Sequence, residues 1–371
     1  MVRRIIKTNP AKPVYNNAGD QAVYRLLRQE VNEIVKLLEP ERRKIILFKA
    51  FIFPILYLLI YIFALRYGND PRIYYSAFFV MGILLVIIFL NIIHDAVHGT
   101  IFRKKWANSF FIRLFDLMGA NSFIWQLRHV RFHHQFPNVN HWDTDIEQSQ
   151  LFRVFPEGDY SPFHRYQHIY LPLLYPFYLV NWLLVRDFKD FFVKSRTVHK
   201  LVEIPLAEFV RLFVFKSGFL FYMIVIPKLV LHLSWLQVLG GFFIFLFTAS
   251  IFSLLVLLTP HANTDNVFPQ PDKDGKMPYS WMIHMMLTTN DISHNNFFTR
   301  FFMGCFNYHV AHHLFPFINH VYYPEITARL RTWAAEYELP YREYTLFHSL
   351  KNHYLLLKQN RMQEDIFEET M

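Results

Sequence analysis

The sequence contains a single cysteine, Cys305, among 371 residues. One thiol cannot build a disulfide framework, and it excludes a zinc or iron–sulfur site made of cysteines. Any bound metal would therefore depend on histidine, aspartate or glutamate. Charged residues make up only 18% of the chain, whereas 53% are hydrophobic and 19% are aromatic. With a mean hydropathy of +0.15, this composition indicates a protein that lies partly in lipid and partly in water.

The formal net charge is +9, and the pI is about 9.4. A basic surface is suited to nucleic acid, to anionic lipid or to an acidic protein. Because long apolar stretches are present, we expect a lipid membrane as the partner and no nucleic acid.

Apolar stretches predict an all-α integral membrane protein with four transmembrane helices in two hairpins. The predicted spans are residues 45–66, 72–93, 217–233 and 235–259. Residues 107–125 are too interrupted by charge to cross and are expected in the interface. Residues 167–185 are expected either to span or to lie flat. A helical cap on the cytosolic side, together with interfacial helices, is expected to carry the polar residues.

Three domains are predicted. Residues 1–44 form a cytosolic tail with an amphipathic interfacial helix at 19–39, residues 45–350 form the membrane domain, and residues 351–371 form a second cytosolic tail. Lysine and arginine are rich at 1–49, 101–131 and 186–216. The positive-inside rule therefore places both termini and the polar regions in the cytoplasm.

Three histidine clusters follow the predicted spans or lie near their ends. We call them the first box (residues 94–98), the second box (129–134) and the third box (309–313). Their histidines are His94, His98, His129, His133, His134, His309, His312 and His313. Histidines three or four residues apart share one face of a helix and can reach one metal. Adjacent histidines point about 100° apart and suit two metals.

Histidine is inexpensive at a membrane surface, so one cluster alone would be weak evidence for a metal. Three clusters at the ends of spans favour metal binding. Without a thiol the set favours iron, with zinc, manganese and copper as alternatives. Since a catalytic zinc typically has about three protein ligands, eight histidines fit two metals better than one.

The motifs HDAVH, HVRFHH and HVAHHLFP, in this order around paired spans, resemble the three histidine boxes of the membrane fatty acid desaturase family. The resemblance covers about residues 70–350. It implies an oxidoreductase that uses O2 and two iron ions to introduce a cis double bond into a fatty acyl chain. It also implies a narrow apolar tunnel for that chain.

The segment HHQFPNVNHWDTDIE resembles the family's acidic segment, and Asp143 and Asp145 match its acidic pair. We expect these carboxylates to orient ligand histidines, as we expect of Asp95 in the first box. His261, which follows the fourth predicted span, is expected beside the ligands rather than among them.

The resemblance implies one further ligand before the third box. In desaturases of the stearoyl type an asparagine precedes a histidine by four residues, and Asn290 and His294 have that spacing. His294 is therefore expected to bind metal, and Asn290 to bind through a water. His284 is the competing candidate for the extra ligand.

Two departures from the related front-end desaturases concern the third box and the electron donor. The third box begins with His309 where those enzymes usually have glutamine, and no HPGG motif of a fused cytochrome b5 domain is present. We therefore expect a separate donor such as ferredoxin or cytochrome b5. The resemblance leaves acyl-CoA and acyl-lipid open as substrates.

Two alternatives remain at this stage. A related membrane di-iron hydroxylase or ketolase would use the same ligands on a lipid, sphingolipid or carotenoid. A metal transporter or lipid receptor would place its ionisable groups near the middle of the membrane, whereas these clusters are predicted at the ends of spans.

Overall fold

The computed structural model describes residues 12–146, 151–156 and 158–362. The predicted cytosolic tails therefore lie partly outside the described residues, at 1–11 and 363–371. The described chain is mainly helical, as predicted. Its only regular strands are β1 (Asp291–Ile292) and β2 (Glu343–Tyr344), which pair in parallel.

The first helix runs without a break from Gln21 to Tyr67. The sequence predicted an interfacial helix and a separate span here. The structure joins them. Pro40 has no N–H to donate to the carbonyl group one turn earlier, but Pro40 is exposed, so that carbonyl group can bond to solvent instead. At 1.5 Å per residue this helix is about 70 Å long, more than twice the roughly 30 Å hydrocarbon thickness of a bilayer. Its N-terminal half therefore extends along the polar cap, where Arg42 forms an ion pair with Glu325.

The helical run Pro71–Val97 packs along Trp235–Leu257. The first run comprises Pro71–Ile88, the π-helix Phe89–Ile93 and His94–Val97. Two glycines allow the close approach. A Cβ atom at Gly82 would lie 2.6 Å from the carbonyl oxygen of Phe245, and one at Gly241 would lie 2.2 Å from the ring of Tyr74.

Five helical segments among the described residues are long and apolar enough to cross a membrane: Gln21–Tyr67, Pro71–Val97, Pro162–Leu201, Leu206–Val230 and Trp235–Leu257. Four contain the predicted spans, and the fifth contains the stretch at 167–185 that was left open. It is built from short pieces: Pro162–Tyr166, Gln167–Leu174, Tyr175–Phe177, Tyr178–Asn181, Trp182–Arg186, Asp187–Phe192 and Thr197–Leu201.

The helix predicted at 217–233 begins earlier, at Leu206, and comprises Leu206–Leu220, Phe221–Val225 and Ile226–Val230. The added stretch falls in the region 186–216, which is rich in lysine and arginine. The structure pairs one of these charges: the Nζ atom of Lys216 lies 2.6 Å from Oδ2 of Asp187. An ion pair satisfies both buried groups, so the helix extends through this region.

The remaining described helices are short and build the polar cap. Before the Pro162–Leu201 segment they are Lys105–Phe111, Leu114–Leu117, Ser122–Gln126 and the π-helix Leu127–His133; after the Trp235–Leu257 helix they are Trp281–Thr288, Phe297–Phe301, His309–Leu314, His320–Tyr322, Tyr323–Glu336 and Leu346–Gln359. The three histidine boxes lie where this cap meets the apolar helices.

Candidate metal centre

The histidines form two adjoining groups in the interior. The first group has five imidazoles whose ligand atoms all lie within 4.8 Å of one another: His94, His98, His129, His134 and His312. The Nε2 atom of His94 lies 3.0 Å from Nε2 of His129 and 3.1 Å from Nε2 of His312. All three boxes therefore contribute to one group.

The second group has four imidazoles under the same distance limit: His133, His261, His309 and His313. The Nε2 atom of His261 lies 2.8 Å from that of His309 and 3.0 Å from that of His313. The ring of His313 stacks on the ring of His134 with centroids 4.6 Å apart. Since His134 belongs to the first group, the two groups lie side by side.

The second box departs from the expected helical pairing. His129 and His133, four residues apart, were expected to face one metal, but it is His134 that joins His129 in the first group. The cause is the π-helix Leu127–His133. The amide of His134 donates to the carbonyl oxygen of His129, five residues back, at 2.9 Å. A wider turn places residues five apart on one face, so His133 points to the second group.

The third box divides its histidines between the groups. His309 and His313, four residues apart on the helix His309–Leu314, belong to the second group, whereas His312 belongs to the first. The prediction that adjacent histidines face different groups agrees with this arrangement. The predicted pairing of His309 with His312 does not.

The start of the third-box helix is held by a residue from β1. Oδ1 of Asp291 accepts the amide of Val310 at 2.7 Å, and Oδ2 accepts the hydroxyl of Tyr341 at 2.8 Å. Asp291 is fully buried. Burial raises its pKa to about 7, although both hydrogen bonds favour the carboxylate. This side chain therefore caps the helix in place of a residue from the helix itself.

The cluster histidines are buried, and most of them are held neutral. Burial, with the neighbouring imidazoles, lowers the pKa of His134, His309 and His313 well below its usual value. Burial likewise lowers the pKa of His261 to about 3. His133 differs: burial would lower its pKa, but the carboxylate of Asp143 outweighs burial and raises it. Neutral imidazole is the form that binds metals.

The hydrogen bonds fit a metal cation between the rings. The Nδ1 atom of His129 lies 3.0 Å from Asp145, and that of His261 lies 3.2 Å from the carbonyl oxygen of Thr288. When Nδ1 carries the proton, Nε2 presents a lone pair, and these lone pairs converge within each group. In addition, the buried Nε2 of His98 has no partner among the described residues. Converging lone pairs repel one another unless a cation lies between them, so the residues fit two metal ions.

Two carboxylates and an arginine support the second box. Nδ1 of His133 lies 3.0 Å from both oxygens of Asp143, and Asp145 bonds to His129 as above. The fully buried Arg128 lies 3.1 Å from Asp145. Burial alone would raise the pKa of Asp145, but the hydrogen bond from His129 and the charge of Arg128 lower it. The structure thus brings both predicted carboxylates to cluster histidines.

Asp95 does not contact a cluster histidine, contrary to expectation. Its Oδ2 lies 2.6 Å from Nδ1 of His320 and accepts the amide of Asn319 at 2.7 Å. Nε2 of His320 lies 3.0 Å from Nζ of Lys49. His320, which has no histidine partner at helical spacing in the sequence, is buried.

The structure does not bring His294 to either group. Its side chain is exposed, and its backbone carbonyl accepts the amide of Asn307 at 2.7 Å. The buried amide of Asn290 bonds to Asn263 at 2.5 Å and to the carbonyl oxygen of Asp291. The competitor His284 lies 2.9 Å from the carbonyl oxygen of Pro137, outside both groups. The spacing NxxxH therefore marks a strand and a loop here, not a metal-binding helix.

His261 is the ring that joins the second group instead. It was expected beside the ligands because it follows the fourth predicted span. The available signal was its position four residues after the helix Trp235–Leu257, since the first box also lies at the end of a long apolar helix.

Comparisons with known proteins identify the family of this chain. Residues 71–345 match the family described as fatty acid desaturase. The chain is 30% identical over 364 residues to an acyl-lipid (8-3)-desaturase of Physcomitrium patens, covering 94% of this chain and 74% of the relative. It is 28% identical over 281 residues to an sn-1 linoleoyl-lipid 6-desaturase of Arthrospira platensis, covering 76% of each. It is 29% identical over 279 residues to an acyl-lipid (8-3)-desaturase B of Dictyostelium discoideum, covering 71% of this chain and 59% of the relative.

Proposed function

Since the chain belongs to the fatty acid desaturase family, we propose that it introduces a cis double bond into an acyl chain of a membrane lipid with O2 as oxidant. The observation that carries this proposal is the pair of adjoining histidine groups, which offers nine imidazoles and no carboxylate to two metal ions. An all-nitrogen set without thiols suits iron. We assign His261, and not His294, as the ninth ligand.

Two iron ions at this position would supply the oxidising power that removes hydrogen from an unactivated methylene pair. The residues of the chain hold the ligand atoms in place. Asp145 and Asp143 accept from Nδ1 of His129 and His133, fixing their tautomers and directing Nε2 inward. Burial of both groups keeps bulk water away from the reacting carbon.

A small apolar cavity of about 20 Å³ lies beside the first group, and we propose that an acyl chain enters the protein here. Phe89 and Phe115 line it, and both rings pack on Trp125 with centroids 5.2 and 5.0 Å apart. The ring of Trp125 stacks on His129 with a centroid distance of 5.0 Å. One aromatic layer therefore separates the cavity from the histidines. The position of the acyl chain in this cavity, and not acid–base chemistry, would select the carbon that reacts.

The membrane arrangement is part of the proposal. Four of the five apolar segments would cross the bilayer, and Pro162–Leu201, which carries charges at 186–190, would lie at its surface. An even number of spans places both termini on one side, and the lysine and arginine distribution favours the cytoplasm. Electrons would come from a separate donor such as ferredoxin or cytochrome b5, guided by the basic face.

Product analysis tests the proposal. The chain is expressed in a host with a simple fatty acid profile beside a His312→Ala, His313→Ala double variant, and methyl esters are analysed by gas chromatography–mass spectrometry. A new ester two hydrogens lighter than a host ester, absent from the variant, is expected. An ester one oxygen heavier would instead identify a hydroxylase.

A further inference from the structure

The chain that follows the third box turns back towards the first histidine group. We call residues 318–323 the linking segment, because they join the helix that carries the third box to the helix Tyr323–Glu336. In this segment Asn319 and His320 both bond to Asp95 of the first box. Tyr323, the last residue of the segment, contacts His312 of the third box. The linking segment therefore contacts two of the three boxes that supply the first group.

The hydroxyl group of Tyr323 has two partners, and their chemistry assigns the direction of each hydrogen bond. Its oxygen lies 3.2 Å from Nδ1 of His312 and 3.0 Å from the carbonyl oxygen of Ile318. A phenol has one hydrogen, and a carbonyl oxygen can only accept. Burial raises the pKa of Tyr323 well above its usual value, so the hydroxyl group keeps that hydrogen. The hydrogen is donated to Ile318, and the hydroxyl oxygen accepts the N–H at Nδ1 of His312.

This hydrogen bond sets the tautomer of His312. With the proton held at Nδ1, the lone pair of the imidazole lies at Nε2. Nε2 of His312 lies 3.1 Å from Nε2 of His94, inside the first group. The lone pair therefore points to the place where the first group would hold a metal ion. Tyr323 is 4% exposed and His312 is 2% exposed, so bulk water does not compete for the bond.

His312 differs in this respect from the next residue of the third box. The buried Nδ1 atom of His313 has no hydrogen-bond partner among the described residues. In the second box, Nδ1 of His129 has a carboxylate as its acceptor, whereas Tyr323 offers His312 an uncharged and therefore weaker acceptor. The third box supplies His312 alone to the first group. The bond to Tyr323 thus acts on the whole contribution of the third box to that group.

We propose that Tyr323 is a positioning residue of the first metal site and that its hydroxyl oxygen fixes the ring and the tautomer of His312. This inference rests on the proposed function, because it takes the first histidine group to bind one of two metal ions. Without the hydroxyl group, the N–H at Nδ1 of His312 would be buried without an acceptor, which is unfavourable. The ring would then turn, or its proton would move to Nε2. Either change takes the lone pair away from the metal.

The test uses Tyr323→Phe, which removes the hydroxyl group and keeps the ring. The matched control is Tyr24→Phe. The hydroxyl group of Tyr24 donates to the carbonyl oxygen of Leu314, the last residue of the third-box helix, at 2.9 Å. Both variants lose a hydroxyl group that donates to a backbone carbonyl next to the third box. Only Tyr323→Phe also loses a bond to an imidazole.

The proteins are purified in detergent without metal and titrated with Co²⁺ against a competing chelator. Co²⁺ follows Fe²⁺ in the order of affinity for a given set of ligands, and its visible absorption depends on how the ligands are arranged. A third variant, His98→Ala, lacks an imidazole of the first group only. The binding step that this variant weakens belongs to the first group, so it identifies the step to be compared.

The wild type is expected to bind two Co²⁺ ions, one in each group. In Tyr323→Phe the affinity of the first-group step should fall by about 10- to 100-fold, while that of the other step stays unchanged. The absorption bands of the first site should shift, because the ring of His312 is no longer fixed. Tyr24→Phe should keep both affinities and the spectrum of the wild type. The melting temperatures of the metal-free Tyr323→Phe and Tyr24→Phe proteins should be similar.

Two results would overturn this inference and leave the metal centre in place. One is a wild type that binds two ions and a Tyr323→Phe protein with the same affinities and spectrum. The other is equal weakening in Tyr323→Phe and Tyr24→Phe, because the hydroxyl groups would then act on the placement of the whole third box. A wild-type protein that binds no Co²⁺ would instead overturn the metal centre of the proposed function, and this inference with it.

Discussion

The imidazoles of His261 and His309 face each other with their Nε2 atoms 2.8 Å apart. His261 follows the turn after the helix Trp235–Leu257, and its Nδ1 lies 3.2 Å from the carbonyl oxygen of Thr288. The ring therefore has the orientation and the free lone pair of a metal ligand.

Replacing His261 by alanine is expected to remove one of the two metals, because the second group keeps only three of its four imidazoles. Iron content per purified chain, measured by mass spectrometry, should fall to roughly half, and desaturated product should be lost. The matched control is His294→Ala, which removes an exposed imidazole outside both groups. If His294→Ala loses iron and His261→Ala retains it, the assignment of the ninth ligand is incorrect.

Arg128 links the second box to the Pro162–Leu201 segment. Its guanidinium contacts Asp145, which orients His129, and lies 3.4 Å from Asp190 and 5.4 Å from the ring centroid of Trp182. Replacing it by methionine would leave the buried carboxylate of Asp190 and the half-buried carboxylate of Asp145 without this partner. We expect a loss of about 3–5 kcal/mol in the free energy of unfolding, together with weaker iron binding through Asp145.

Thermal denaturation in detergent and an iron titration with a competing chelator measure these two effects. Asp190→Asn is the control, because it weakens the contacts of this residue with Arg128 and Arg196 but leaves Asp145 and His129 connected. Its melting temperature should fall while its iron affinity remains near that of the wild type. An equal loss of iron affinity in both variants would show that Arg128 acts on overall stability and not on His129.

Sequence spacing predicted which boxes form the centre but not how their histidines divide between two groups. The expected pairing of His129 with His133 assumed an α-helix, whereas a π-helical turn places His134 beside His129. Periodicity does not reveal such a turn, because it arises from how the helix packs on its neighbours. The place of His261 was missed for a related reason: it has no partner at helical spacing, and only the tertiary fold brings its ring to the second group.

Polar contacts between residues that are far apart in the sequence could not be predicted either. Asp95 was expected to orient a ligand histidine near in sequence, but its partner His320 is 225 residues away. The long helix was predicted as two pieces, an amphipathic interfacial helix at 19–39 and a span at 45–66. Ion pairs with the cap, such as Arg42 with Glu325, make the stretch between them compatible with a continuous helix.

Lys49 connects the long helix to the chain around two boxes. Its Nζ atom lies 2.9 Å from Asn91, 3.0 Å from His320 and 3.0 Å from the carbonyl oxygen of Arg300. Only 1% of this residue is exposed. Replacement by methionine would leave the Asp95 carboxylate, bonded through His320, without its cation. We expect the free energy of unfolding to fall by about 3–5 kcal/mol.

The control for this variant is Lys44→Met, which removes an exposed ammonium group from the same helix. It should leave the melting temperature in detergent unchanged, because exposed charges contribute little to stability. A Lys49→Met protein as stable as wild type would mean that the buried network is held by its remaining hydrogen bonds and does not need the cation.

The carboxyl group of Asp291 predicts a pH dependence of stability. Its pKa is raised to about 7 in the folded protein, because burial disfavours the charged form, whereas in the unfolded chain it is about 4. Between these two values the folded protein keeps a proton that the unfolded chain has lost. The contribution of this group to stability therefore falls as pH rises from about 4 to 7 and is constant above that.

Asp291→Asn removes this titration while keeping an oxygen that can accept the amide of Val310. The melting temperature of the variant minus that of the wild type should therefore increase from pH 5 to about pH 7 and then level off. Taking the difference cancels the loss of metal at low pH, which both proteins share. The exposed Asp274→Asn variant should give a difference that is flat with pH. A flat difference for Asp291→Asn as well would mean that this carboxyl group ionises inside the folded protein as it does in the unfolded chain, and that the two hydrogen bonds outweigh burial.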